Sequence, residues 1–114
     1  MNGKDNGVII LMAEDDDGHA RLVRERFESV GVHNEIIRFK DGQEACAFLS
    51  GAAKPGLETD KAYLLLLDIR MPGLDGVEVL KRVKGDARLK NMPVIMLTTT
   101  DDPREINTCY ELGC

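Results

Sequence analysis

No apolar run in this sequence is long enough to cross a membrane. The longest, Val8–Ala13 and Ala62–Leu67, have six residues each, against the roughly 20 that a spanning helix needs. Val8–Ala13 runs at once into four acids with no cleavage pattern, so a signal peptide is not expected. An excess of positive charge is lacking too. Twenty acids against fifteen bases leave a formal charge of −5, which disfavours binding to nucleic acid or to an anionic membrane. Cysteine is scarce: Cys46, Cys109 and Cys114 are odd in number and have no ligand-like spacing. They read as small packed residues in a reducing, cytoplasmic setting. Repeats, low-complexity stretches and Pro/Gly linkers are all absent, so the 114 residues are expected to form one domain, 1–114. Apolar residues at 43% and charged residues at 31% are ordinary globular usage, enough for one real core.

What the sequence does contain is an alternation of short apolar runs with helical-period segments. Val8–Ala13 reads as a buried strand, and Ala20, Val23, Phe27 and Val30 as the stripe of a helix that Gly31 ends. Glu35–Phe39 reads as a weaker strand followed by an Asp41-Gly42 turn. Ala45, Phe48 and Leu49 mark a short helix ending near Gly51, and the polar stretch from Ala52 to Lys61 reads as loop. Ala62–Leu67 is the clearest buried strand and stops at Asp68. Asp75 and Glu78 form a capping box for a helix whose stripe is Val77, Leu80 and Val83. Val94–Leu97 is a fourth strand, and Asp102, Pro103 and Glu105 open another helix, continued by Ile106, Cys109 and Tyr110. Strict alternation predicts an α/β fold with a parallel sheet.

The chemistry lies where the strands end. The first predicted strand runs into Glu14-Asp15-Asp16-Asp17, the third ends at Asp68, and the fourth ends at Thr98-Thr99-Thr100. Open α/β sheets bind ligands outside the carboxyl ends of their strands, where the winding reverses. If strands one and three are neighbours, Glu14, Asp15 and Asp68 converge. Two like charges about 4 Å apart repel by roughly 4 kcal/mol at an effective dielectric of 20. A proton or a hard divalent cation must answer them, and carboxylates with water suit Mg²⁺. Each element alone has a blander reading: a solvated helix cap for Asp16 or Asp17, a turn former for Asp68, β-branched residues leaving a strand for the threonines. The conjunction at successive strand ends is what points to a site. His19 and His33 are isolated and read as surface or helix-start positions. Met12, Met92 and Met96 read as core.

These residues resemble the receiver domain of two-component response regulators. The matching text is Ile9-Ile10-Leu11-Met12-Ala13-Glu14-Asp15-Asp16, then Leu64–Asp68-Ile69-Arg70-Met71-Pro72-Gly73-Leu74-Asp75-Gly76, then Pro93-Val94-Ile95-Met96-Leu97-Thr98. Order and spacing match over essentially the whole chain, and the Leu-Leu-Asp-Ile-Arg-Met-Pro-Gly-Leu-Asp-Gly stretch is highly specific. The loop before strand three and the Arg82–Lys90 segment are similar to small single-domain regulators that partner phytochrome-type kinases.

The resemblance implies a three-layer, flavodoxin-like, doubly wound sheet of order 2-1-3-4-5. It implies that Asp68 is the phosphoacceptor for a phosphohistidine of a partner histidine kinase. Asp15 and Asp68 would hold Mg²⁺, with Glu14 acting largely through water and Arg70 offering its backbone carbonyl. Thr98 would contact the phosphoryl oxygens and switch the surface read by a downstream protein. Arg70 and Thr100 occupy positions that tune hydrolysis in the family. The family's lysine and switch aromatic belong to a fifth strand, and the sequence stops at Leu112-Gly113-Cys114, where that strand is expected to begin. Lys61, Lys81, Lys84 and Lys90 read as solvated positions instead. Strand five and the last helix are therefore expected to be missing, and the chain to be a C-terminally truncated receiver. The bare edge of strand four would favour a homodimer. Two other readings stand beside the receiver: a receiver-shaped interaction module that is never phosphorylated, and a Mg²⁺-dependent phosphatase or phosphotransferase. The dehalogenase-like version of the latter wants an acid where Arg70 stands.

Overall fold

A computed structural model of the chain describes residues 7–51, 61–69, 71, 73 and 76–97. Among the described residues, four strands and three helices alternate: β1 (Val8–Ala13), α1 (Asp17–Ser29), β2 (Ile36–Phe39), α2 (Gly42–Ser50), β3 (Ala62–Leu67), α3 (Gly76–Lys84) and β4 (Val94–Met96). All pairings are parallel and the sheet order is β2-β1-β3-β4. The predicted helix at Asp102, the predicted cap at Asp75, Arg70 and Thr98 lie outside the described residues.

The side-chain alternation of β1 builds both faces of the sheet. Ile9, Leu11 and Ala13 join Leu65 and Leu67 of β3 against α2 and α3, in a core completed by Phe39, Ala45, Phe48, Leu49, Val79, Leu80 and Val83. Ile10 and Met12 join Leu66 on the other face, with Ala20, Val23 and Phe27 of α1. A strand covered on both faces needs an unbroken apolar run, which is why β1 and β3 stand out in the sequence. The placement of the helices follows from the strand order. The β1-to-β2 step moves one way along the sheet and the later steps move the other way, so crossovers of one hand put α1 on one face and α2 and α3 on the other.

Local boundaries depart from the sequence expectation in identifiable ways. Val30 is not part of the buried stripe; it caps α1 and is 74% exposed. Gly31 follows at φ +86°, the left-handed conformation that ends the helix. Asp41-Gly42 is a helix start rather than a free turn, for Asp41 Oδ1 accepts the Glu44 N–H at 2.8 Å and Gly42 is the first residue of α2. Strand β2 begins at Ile36 and β4 ends at Met96. Lys84 is not simply solvated: its Nζ donates to the carbonyls of Lys90 and Met92, at 3.2 and 3.5 Å, closing the turn between α3 and β4. Cys46 is half-buried against the core, and burial pushes its thiol above the ordinary value.

The stripe of α3 is Gly76, Val79, Leu80 and Val83, while Val77 sits half-buried at its edge. The helix takes this phase because Gly76 lies directly against the end of β3. Its N–H donates to the Ile69 carbonyl at 2.8 Å, and a Cβ placed there would come 2.1 Å from the Asp68 carbonyl oxygen. No side chain fits in that space. Gly76→Ala is therefore expected to lose on the order of 1–3 kcal/mol of stability as backbone is forced apart, despite alanine's better helix propensity. Urea denaturation of the two chains checks this; an equally or more stable alanine variant would refute the close approach.

Candidate functional site

The site is built by continuing the sheet one residue past its strands. Ala13 is paired with Leu67 and with Phe39. The Glu14 N–H then donates to the Phe39 carbonyl at 3.0 Å, and the Asp68 N–H donates to the Ala13 carbonyl at 2.9 Å. Ladder hydrogen bonds thus set the two acids side by side, on strands roughly 4.8 Å apart. Both are buried, Glu14 at 1% and Asp68 at 7% exposure, while Asp15 is exposed. One carboxylate oxygen from each of Glu14, Asp15 and Asp68 can be chosen so that all three lie within 4.8 Å of one another. An all-oxygen, all-anionic donor set open on the side of Asp15 suits a hard divalent cation completed by water. The predicted convergence at the reversal between β2-β1 and β3-β4 is present. The remaining predicted contributors, Arg70 and Thr98, fall outside the described residues.

The acidic run after β1 divides its labour. Asp16 has extended backbone, φ −90° and ψ 115°, and its Oδ1 accepts the N–H groups of Gly18 at 2.8 Å and His19 at 3.2 Å, capping α1. Asp17 turns toward β2, where Arg38 Nη1 donates to its Oδ1 at 2.6 Å. That hydrogen bond, with the guanidinium charge behind it, holds the Asp17 carboxyl below the ordinary value. Only Glu14 and Asp15 are left to face Asp68.

Sequence reasoning passed over two residues here. Arg38 stands in β2 in register with Met12. Besides Asp17, it donates from Nε and Nη2 to the Glu14 carbonyl, at 3.0 and 2.9 Å. His19, read as a helix-start residue, is hydrogen-bonded through Nδ1 to Glu14 Oε1, and the Asp16 N–H donates to Glu14 Oε2 at 3.2 Å. An arginine inside a strand was the available signal for the first, since its five donors demand acceptors nearby. The second had none, because it depends on how the corner between β1 and α1 folds.

The response regulator receiver domain family matches residues 10–114. The chain belongs to that family. It is thereby a signalling domain of two-component phosphorelay systems. It is 36% identical over 104 residues to the response regulator Rcp1 of Synechocystis, an alignment covering 91% of this chain and 70% of that protein. The crystal structure of a receiver domain from Rhodospirillum rubrum superposes with a TM-score of 0.85 at 47% identity, covering 93% of this chain and 75% of the other. The Mn²⁺-bound form of Rcp1 superposes at 0.81, with 35% identity over 92% of this chain and 75% of that one. For the phosphorylated cyanobacterial phytochrome response regulator RcpA the score is 0.78, at 33% identity over 92% and 74%. These relatives share the parallel sheet of the receiver fold. No helix among the described residues is long and apolar enough to cross a membrane.

Arg38 anchors this corner of the receiver, and its loss leaves the Glu14 carbonyl short of its two donors. Arg38→Met is expected to cost about 1.5–3 kcal/mol, the range for hydrogen bonds to a charged group. Asp17→Asn, which alters only an exposed partner, should cost far less. Thermal unfolding of both variants near neutral pH checks the ranking, and equal losses would refute it.

Proposed function

We propose that Asp68 is the residue that receives the phosphoryl group, from a phosphohistidine of a partner histidine kinase. The observation carrying this reading is the convergence of Glu14, Asp15 and Asp68 at the paired ends of β1 and β3. A carboxylate oxygen of Asp68 attacks phosphorus, the P–N bond breaks, and the kinase's imidazole departs. Asp15 and Asp68 would hold Mg²⁺, with Glu14 acting largely through water and Arg70 offering its backbone carbonyl. The bound cation supplies charge neutralisation between the anionic nucleophile and the anionic phosphoryl group. Oxygen donors alone fit that role, and the existence of a Mn²⁺-bound form of Rcp1 supports a divalent cation in this reading.

The hydroxyl of Thr98 then takes up the phosphoryl oxygens and draws its loop toward the site, changing the surface offered to a downstream protein. Similarity to Rcp1 and to the phytochrome response regulator RcpA supports a phytochrome-type kinase as the donor. In this reading the domain's own chemistry stops at promoting its phosphorylation and dephosphorylation.

Two measurements test the assignment. Titration with Mg²⁺ should show Asp15→Asn binding far more weakly than Asp17→Asn, because Asp17 is committed to Arg38; superimposable curves would sink the metal assignment. Incubation with a small phosphodonor and Mg²⁺, followed by intact-mass and peptide analysis, should place a single phosphoryl group on Asp68. A label on Asp16, or an unchanged mass, would overturn the phosphoacceptor role.

A further inference from the structure

Glu14 is held through its backbone and its side chain alike. Its N–H is spent on the Phe39 carbonyl, and its own carbonyl accepts two bonds from Arg38. Its side chain is among the largest fully buried in the chain. A buried carboxylate needs hydrogen-bond partners, and among the described residues this one has two: the Asp16 N–H on Oε2, at 3.2 Å, and the His19 ring on Oε1. The first is local and long. The second comes from α1, through a ring whose own backbone N–H is fixed by the Asp16 cap at 3.2 Å. Where Glu14 serves a cation as a carboxylate, it can only accept, so Nδ1 would be the donor and each oxygen would keep lone-pair capacity toward Asp15 and Asp68.

We infer that His19 is a positioning residue for the cation site: through Nδ1 it fixes the Glu14 carboxylate in the orientation that faces Asp15 and Asp68. This rests on the reading of those acids as the Mg²⁺ site. His19 is not itself a ligand, for the group of described residues able to share one ion consists of Glu14, Asp15 and Asp68. Its place is that of the outer partners that orient ligands in metal sites, whose removal typically costs roughly 10–100-fold in affinity. Without the ring, the three side-chain torsions of Glu14 are restrained on the helix side by one backbone donor alone.

The test is Mg²⁺ affinity by calorimetry, with the metal-free melting temperature measured beside it. His19→Ala should weaken binding by roughly 10–100-fold, while melting without metal shows the fold retained. His19→Asn should recover most of the affinity, since its amide nitrogen is bonded to Cγ as Nδ1 is. A merely structural histidine would not show that rescue. Should the alanine chain not fold, His19→Gln, whose amide lies one bond farther out, replaces it and should bind weakly. Binding by His19→Ala within twofold of the unmodified chain, or failure of asparagine to recover affinity, would overturn the inference and leave the metal reading intact. An unmodified chain that binds no Mg²⁺, or binds it no better than Asp15→Asn, would overturn the metal reading and the inference with it.

Discussion

Everything at this site hangs on the parallel pairing of β1 between β2 and β3. Six residue pairs join β1 to β3 and four join it to β2, so β1 has ladder partners on both edges and apolar neighbours on both faces. Within such a strand an unpaired polar group costs several kilocalories per mole. The first position where the chain can carry charge is the residue after Ala13. The same holds for β3, whose run of leucines ends at Asp68. Two strands in register, each without charge to its last residue, bring the acids that follow them to the same level. The acid pocket is a consequence of burial as much as of chemistry.

Crowding acids at one place raises the question of what keeps each from repelling the next. The run Glu14–Asp17 answers it with four different environments. Asp17 has the Arg38 guanidinium, Asp16 has the free N–H groups at the start of α1, and Glu14 has the His19 ring and a backbone donor. Asp15 remains exposed, where water screens it. Partners on the protein thus account for three of the four, and the exposed one is the natural first contact for a cation arriving from solvent. Asp86 shows the same device at a distance: the Arg88 hydrogen bond depresses its carboxyl.

How much of this was legible in the sequence follows from which signals are periodic. β1 and β3 were readable to the residue, and α2 at its C-terminal end, because burial on a fixed period leaves a pattern several residues long. The convergence of Glu14, Asp15 and Asp68 was readable because it needs only strand ends and strand order. The phase of α3 was not, for a stripe of Val77, Leu80 and Val83 is as good a pattern as Gly76, Val79, Leu80 and Val83. What decides between them is the contact of Gly76 with the Asp68 backbone, which no periodicity records. Val30 was misplaced for a related reason: the apolar spacing persists one residue after the helix has ended. His19 and Arg38 are single residues whose partners are set by register and by the fold of one corner, so neither leaves a pattern to read.

The two flanks of the pocket are consequently held by different means. On the β1 side, side chains do the holding: Arg38 on the Glu14 carbonyl and His19 on its carboxylate. On the β3 side there is also a close backbone contact, with the Gly76 amide on the Ile69 carbonyl and its bare Cα against the Asp68 carbonyl. A side-chain contact can be exchanged for another donor of similar reach, so the Glu14 flank can accept substitutions that leave the strand ends unmoved. A backbone contact without room for a Cβ admits glycine alone. The acid that bears the proposed chemistry therefore sits on the flank with the least freedom to vary, and the acid proposed to act through water sits on the flank that substitutions can adjust.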